Sequence, residues 1–348
     1  RGLVSQPGLA GLAAAVGSGR EVGVPANGIP AGCAHIEPAM LSLVQLDQAA
    51  IERIVASVPG GAANVQDIYP LAPLQSGLLF HHLSEPQGDP YVLQCLIGMD
   101  NRQCLDDFNQ ALQHVVDRHD SFRTAVLWEG LDEPVQVVLR QARLQVEEVA
   151  LDPTVGDIRQ QLEQRFDNQH YRLDLSQAPR IRIACAEDPA TGRWLALMML
   201  HHIVSDHAAL AVVQHEIQQY LLGQAAKLGK PVPYRNYVAQ ARLGVSEQQH
   251  EAFFREMLGD VDEPTLPFGV QRIDSERDAT EEVDHWLGAA FSQRLRRQAR
   301  QLGVSAATLY HWVWAQVIGA VSARDDVVFG TVLLGRLQAG DGAERSLG

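Results

Sequence analysis

Met199-Leu200-His201-His202-Ile203-Val204-Ser205-Asp206-His207 marks the point where an apolar run gives way to a helical pattern. Residues 194–200, Trp-Leu-Ala-Leu-Met-Met-Leu, are apolar at every position, as in a strand buried on both faces. Past the histidines, Leu210, Val213, Ile217 and Leu221 recur at helical spacing as far as Gly223, and Asp206 stands where an N-cap is needed. Adjacent side chains in extended backbone point to opposite faces, so one of His201 and His202 faces a cleft and the other is structural. The pair can be read as two satisfied histidines at a strand end, or as a metal site. A third reading makes one imidazole a general base, with Asp206 folded inward onto an arginine. The metal reading is disfavoured because no His-Glu-x-x-His spacing or cysteine pair joins the histidines.

A chain of 348 residues with 46% apolar content can form two domains, each with its own core. The net charge of −14, with no basic run, argues against nucleic acid as a partner. Cys33, Cys95, Cys104 and Cys185 lack Cys-x-x-Cys spacing, which fits reduced thiols in a cytosolic chain better than a disulfide framework. No apolar run reaches ~18 residues and no signal-peptide pattern opens the chain, so a soluble, cytoplasmic protein without a membrane partner is expected.

In chain order, residues 1–17 read as the end of a helical domain. Residues 18–40, rich in Gly, Pro and Ala, read as an ordered-to-flexible linker. Asp47 caps a short helix bearing Ile51, Ile54 and Val55, which Pro59-Gly60-Gly61 ends. The main domain opens near Asp67. Pro73 suits the first turn of a helix with Leu74, Leu78 and Leu79 on its apolar side, and a second pair, His81-His82, follows. Residues 105–119 are helical, 122–128 β-like with Arg123 inside, 156–166 helical, and 172–185 a turn and then a strand, giving a β-α-β alternation. Helices are expected at 247–258 and 291–302, a buried helix at 306–321 and a central strand at 325–336. The last dozen residues do not look like a domain terminus, so a fragment of a longer polypeptide is expected.

Four stretches in order resemble a condensation domain of nonribosomal peptide synthetases. Arg118-His119-Asp120-Ser121-Phe122-Arg123-Thr124 is similar to the family's Arg-His-x-x-Leu-Arg-Thr motif. His201-His202-Ile203-Val204-Ser205-Asp206-His207 is similar to its His-His-x-x-x-Asp-Gly signature, with His in place of Gly. Tyr234-Arg235-Asn236-Tyr237-Val238-Ala239 resembles its tyrosine-rich motif, and Val328 to Arg336 the strand before its Asn-Thr motif. In addition, His81-His82-Leu83-Ser84-Glu85-Pro86-Gln87-Gly88-Asp89 fits the His-His-[Ile/Leu]-x-x-x-x-Gly-Asp pattern of the dual epimerization/condensation subtype, and residues 1–17 resemble the final helix of a peptidyl carrier domain.

The resemblance implies an α/β fold of two chloramphenicol-acetyltransferase-like lobes in a V-shaped pseudo-dimer, with a tunnel between them. The expected layout is a carrier helix at 1–17, a linker with a short helix at 18–65, an N-terminal lobe at 66–235 and a truncated C-terminal lobe at 236–348. The implied reaction joins a carrier-bound peptidyl thioester to a carrier-bound aminoacyl thioester, after epimerization of the donor Cα in the dual subtype. His202 is the candidate base and His201 its structural neighbour. His81 or His82 is the candidate second proton-transfer group, and Gly88 and Asp89 complete the subtype motif. Asp206 is expected to pair with Arg123 or Arg336, Arg123 being favoured because it lies in the same lobe. The implied partners are upstream and downstream carrier domains and an adjacent adenylation domain, with phosphopantetheine on the carriers and no cofactor or metal on this chain. A condensation-only enzyme and an inactive module that recruits a partner protein stay open. Heterocyclization is disfavoured, because that subtype replaces the paired histidines with aspartate.

Overall fold

The computed structural model describes residues 22–270, 283–331 and 347. Among these, 22–244 with Leu347 form one compact unit, and 245–270 with 283–331 form another. The expected carrier helix at 1–17 lies outside the described residues.

The first unit runs α1 (Gln48–Ser57), β1 (Val65–Pro70), α2 (Pro73–Ser84), β2 (Val92–Met99), α3 (Arg102–Arg118), β3 (Thr124–Leu127) and β4 (Val135–Leu139). It continues through β5 (Gln145–Glu148), α4 (Ile158–Arg165), β6 (Ile181–Asp188), β7 (Arg193–His201), α5 (His207–Leu221) and α6 (Arg235–Leu243). Its strands form two sheets, β1-β4-β3 and β2-β7-β6-β5. The first is antiparallel, and in the second only β5 and β6 are parallel. The expected β-α-β alternation is present as β5-α4-β6, whose strands pair in parallel, whereas residues 189–192 link β6 to β7 in a turn and those two strands are antiparallel.

The four-stranded sheet is covered on both faces, which is why 194–200 is apolar throughout. Ala196, Met198 and Leu200 join the cluster under α3 and α5, while Leu197 and Met199 join Leu162 and Phe166 on the side of α4. On α2, Leu79 is buried and Leu78 packs on the core, but Leu74, expected beside them, is 63% exposed. Pro73 fixes the first turn with Leu74 rotated away from the sheet.

Residues 22–64 are an integral layer of this unit, not a flexible linker. Ile29, Ile36, Leu41, Val44, Ile51 and Ile54 pack with Val65, Ile68, Val135 and Val137 into one buried cluster. Arg140 donates to the carbonyls of Ile29 and Pro30, and Arg235 to the Pro25 carbonyl and to Ser42 Oγ. Arg235 also pairs with Asp67 at 2.6 Å, and Val238 packs with Tyr69 and Val138. These contacts hold α6 in the first unit, so the boundary falls after Gly244 and not at 235.

The second unit contains α7 (Glu247–Leu258), α8 (Ala289–Gln301) and α9 (Ala306–Ser322). The helix expected to be buried over 306–321 forms, but Ile318 is the only one of its described residues that is buried, and Trp312 and Trp314 are half exposed. Residues 325–331 carry no strand, and the rest of that expectation, with Arg336, lies outside the described residues. A strand needs a hydrogen-bonded neighbour, and none exists among this unit's described residues.

Ile36 is 1% exposed, so Ile36→Ala is expected to cost about 2–5 kcal/mol in urea unfolding. A loss within about 0.5 kcal/mol, as for a surface change, would return this segment to the role of a linker.

Candidate functional site

The alternation along β7 places His201 on the same sheet face as Leu197 and Met199, and there it is fully buried. Its Nδ1 accepts a hydrogen bond from the Ile203 N–H at 2.9 Å, so the ring's proton is on Nε2 and is donated to Asp89 Oδ2 at 3.0 Å. The same oxygen receives Nδ1–H of His82, from the last turn of α2, at 2.6 Å. Asp89 is itself fully buried, and its Oδ1 accepts from the Tyr91 N–H at 3.0 Å. Burial alone would raise its pKa, but the bonds from His201 and His82 outweigh that and hold the carboxyl well below the ordinary range. One carboxylate thus clamps the end of α2 to the end of β7.

Gly88 has a geometric reason to precede this aspartate. A Cβ there would stand 2.7 Å from the Asn168 carbonyl oxygen and nearer still to that of Gln169, and the Asp89 N–H donates to the Asn168 carbonyl at 2.8 Å. Arg172 seats the segment from below by donating to the carbonyls of His82 and Gly88.

His82, Asp89 and His201 offer ligand atoms within 4.8 Å of one another, the one such group among the described residues. Their geometry is that of donors shared with a carboxylate, each ring proton lying on a hydrogen bond to Asp89.

His202 differs from its neighbour. It opens a 3-10 turn, His202–Val204, and is partly exposed. Its Nδ1 lies 3.0 Å from the Ser205 carbonyl oxygen, which can only accept, so Nδ1 carries the proton and Nε2 the lone pair of the neutral ring. The turn is fixed from three directions. The His202 N–H donates to the Tyr91 carbonyl at 2.9 Å, buried Gln75 of α2 donates to the Ile203 carbonyl at 2.7 Å, and Asp206 caps α5 by accepting from the Ala209 N–H at 2.8 Å. His81 is exposed, with Nδ1 2.9 Å from Tyr91 Oη.

Arg123 does not serve Asp206. It lies in a 3-10 turn before β3 and donates to the carbonyls of Val116 and Leu139 and to Gln66 Oε1. No ion pair between Arg123 and Asp206 occurs among the described residues, and the other candidate, Arg336, lies outside them. The Arg118-His119 motif instead positions α5: both side chains bond Glu216 Oε2, at 3.0 and 2.9 Å. Asp120 accepts the Tyr234 N–H with both oxygens, joining that motif to the tyrosine-rich one.

Sequence reasoning passes over Gln75, Tyr91, Glu216 and Arg180. Gln75 is legible as the N3 residue of a helix opened by proline; the others bear no local signal. Arg180 is fully buried with no carboxylate bonded to it, donating instead to the Thr124 and Leu175 carbonyls, and burial pushes its pKa down to about 9. Burial, opposed by Asp89 and aided by Arg180, lowers the pKa of His201 and keeps it neutral.

The family model for the condensation domain matches residues 65–348. The chain is 48% identical over 348 residues to malpinin synthetase of Mortierella alpina, covering 100% of this chain and 4% of that protein. It is 47% identical over 349 residues to malpibaldin synthetase of the same organism, covering 100% of this chain and 6% of that one. The chain therefore spans a small fraction of these relatives' length. Among solved structures, the first condensation domain of the calcium-dependent antibiotic synthetase, in complex with a substrate analogue, superposes with a TM-score of 0.54 at 16% identity. That match covers 82% of this chain and 68% of that one, and shows the likeness of fold.

Asp89→Asn leaves one acceptor oxygen for three N–H donors, those of His201, His82 and the Tyr91 backbone, and is expected to lower the stability of the unit by about 1.5–3 kcal/mol in denaturant unfolding. An unchanged midpoint would mean the clamp is idle. The pKa values of His201 and Asp89 both lie below their unfolded values, so their contributions are complete above about pH 6.5 and pH 3.9 respectively and fall away with acidification. Amide exchange reports this directly. The Ile203 N–H, bonded to His201 Nδ1, should stay protected below about pH 6.5, where free imidazole becomes half charged, and lose protection on further acidification. Loss already above that pH would contradict a neutral, clamped ring.

Proposed function

The chain belongs to the condensation-domain family, and from that membership we propose that it forms peptide bonds in nonribosomal synthesis. The donor is a peptidyl thioester on an upstream carrier and the acceptor an aminoacyl thioester on a downstream carrier, each on a phosphopantetheine arm. An adenylation domain supplies the acceptor carrier, and this chain contributes no cofactor of its own. The acceptor's α-amine attacks the donor carbonyl, a C–N bond forms, the C–S bond breaks, and the thiolate leaves with a proton.

His202 is the base in this reading. The observation that carries the assignment is the Nδ1–H to Ser205 carbonyl bond, which leaves Nε2 as the lone pair able to take the amine's proton. His201 is a support, since both of its nitrogens are occupied. The uncapped N–H groups at the start of α5 are candidates to stabilise the tetrahedral oxyanion. Positioning by the two carriers supplies much of the rate.

The same reading includes inversion of the donor Cα before condensation, as in the dual subtype whose motif spans residues 81–89. Of that motif's histidines, His81 is exposed and His82 is committed to Asp89, so His81 is the member accessible for a part in the proton transfer.

His202→Gln, in the native polypeptide with loaded carriers, is expected to reduce peptide formation by about 10²–10⁴ without weakening carrier binding. Retained turnover would remove His202 as the base. Chiral chromatography of the hydrolysed product from an L-configured donor tests the dual activity: a D-residue at the donor position supports it, and an L,L-product reduces the assignment to condensation alone. No product despite intact carrier binding would favour a recruitment module.

A further inference from the structure

Inverting a Cα proton requires one group to remove it and another to deliver a proton to the opposite face. Among the side chains bonded around the signature turn, most are already committed. His201 and His82 direct ring protons into Asp89, Gln75 is buried in amide bonds to Gln136 and Ile203, and Asp206 caps α5. His202 keeps one free lone pair. A single base returns the proton to the face it came from.

Tyr91 is tied to this site at three points. Its N–H donates to Asp89 Oδ1 at 3.0 Å, its carbonyl accepts the N–H of His202 at 2.9 Å, and its ring lies 6.3 Å from that of His201. The backbone of Tyr91 is therefore bonded both to the clamp and to the amide of the base itself. The side chain is half-buried, and its hydroxyl lies 2.9 Å from Nδ1 of exposed His81, whose ring also packs edge-on against Phe80 at 5.9 Å. This pairing brings an ionisable hydroxyl and an exposed imidazole into one hydrogen bond, held by the same residues that hold His202.

We propose that Tyr91, supported by His81, is the acid that protonates the donor Cα on the face opposite His202. The proposal rests on the dual-activity reading above. Nε2 of neutral His202 takes the Cα proton as the C–H bond breaks, and the electron pair moves into the thioester enolate. The Tyr91 O–H bond then breaks as a new Cα–H bond forms on the other face. The phenolate left behind is stabilised by Nδ1–H of His81 and takes a proton from solvent, while His202 returns its own. The substrate is inverted with no net change in protons and no cofactor. In this scheme His82 is a positioning residue that acts through Asp89.

The test uses the native polypeptide with both carriers loaded, comparing Tyr91→Phe with the parent on L- and D-configured donors in deuterated water. With the L-donor, the D-product is expected to fall by about 10²-fold or more, and the surviving L-product to carry deuterium at the donor Cα through exchange on one face. Turnover of the D-donor, which needs no inversion, should fall at least about tenfold less. Undiminished D-product in Tyr91→Phe would overturn the proposal and leave the dual activity standing. Equal losses on both donors would make Tyr91 structural and would also overturn it. An all-L product from the parent would sink the dual-activity reading first. His81→Gln serves as the second variant, with a smaller loss expected in the same selective pattern.

Discussion

Two imidazole N–H groups converge on a single oxygen of the fully buried Asp89, and most of the site's geometry depends on that convergence. A buried carboxylate is costly unless its lone pairs are filled, and here a backbone N–H fills a third position. The charge is thereby retained inside the protein, and it in turn sets which nitrogen of His201 and of His82 bears the proton. Because the residues concerned come from α2, from the segment before β2, and from the end of β7, the clamp fixes three parts of the chain distant in sequence. His202 follows directly after the clamped residue, so its position inherits that rigidity. Its own tautomer is set by a separate bond to the Ser205 carbonyl.

Burial sorts four histidines of two similar pairs into opposite roles. Within each pair, one ring is turned inward to Asp89 and the other is left partly or fully accessible: His201 and His82 inward, His202 and His81 outward. In the strand this follows from the two-residue alternation of side chains, and in the helix from the 100° step between neighbours. Mutating either inward histidine removes a hydrogen-bond donor from a buried charge, so a loss of activity there reports loss of support as readily as loss of chemistry.

Much of this is legible in the order of the amino acids. The apolar run at 194–200, the cap at Asp206, the proline at the start of α2 and the helix endings at glycine are local signals, and each matches what the backbone does. The alternation rule also separates His201 from His202. Pairings set by the tertiary fold are not legible in the same way. Arg123 looks like a partner for Asp206 because it belongs to the same expected lobe, yet its guanidinium is taken up by the carbonyls at the end of α3 and of β4. The Gly- and Pro-rich composition of residues 18–40 suggests flexibility, but three apolar residues spaced through it, Ile29, Cys33 and Ile36, anchor it by packing with residues of β1 and β4. Conversely, the strongly apolar 306–321 promises burial that requires a neighbouring layer, and composition does not say whether that layer is present. Tyr91 and Glu216 carry no pattern at all. Their importance lies in what the fold brings next to them.

The clamp also bears on what the 81–89 motif contributes. If that motif supplied chemistry only, its glycine and aspartate would need no contact with the condensation signature. Instead Gly88 permits the close approach to residues 168 and 169, Asp89 bonds His201 of the signature, and the next residue but one holds the amide of His202. The two motifs are thus one mechanical unit. A change in the first propagates to the second through a carboxylate that cannot move without leaving a ring donor unsatisfied in the interior. In the proposed reading the second activity sits beside the base because the residues that hold His202 also hold Tyr91. Separating the two experimentally then requires substitutions at the accessible members, His81, Tyr91 and His202, whose removal leaves the buried hydrogen bonds to Asp89 in place.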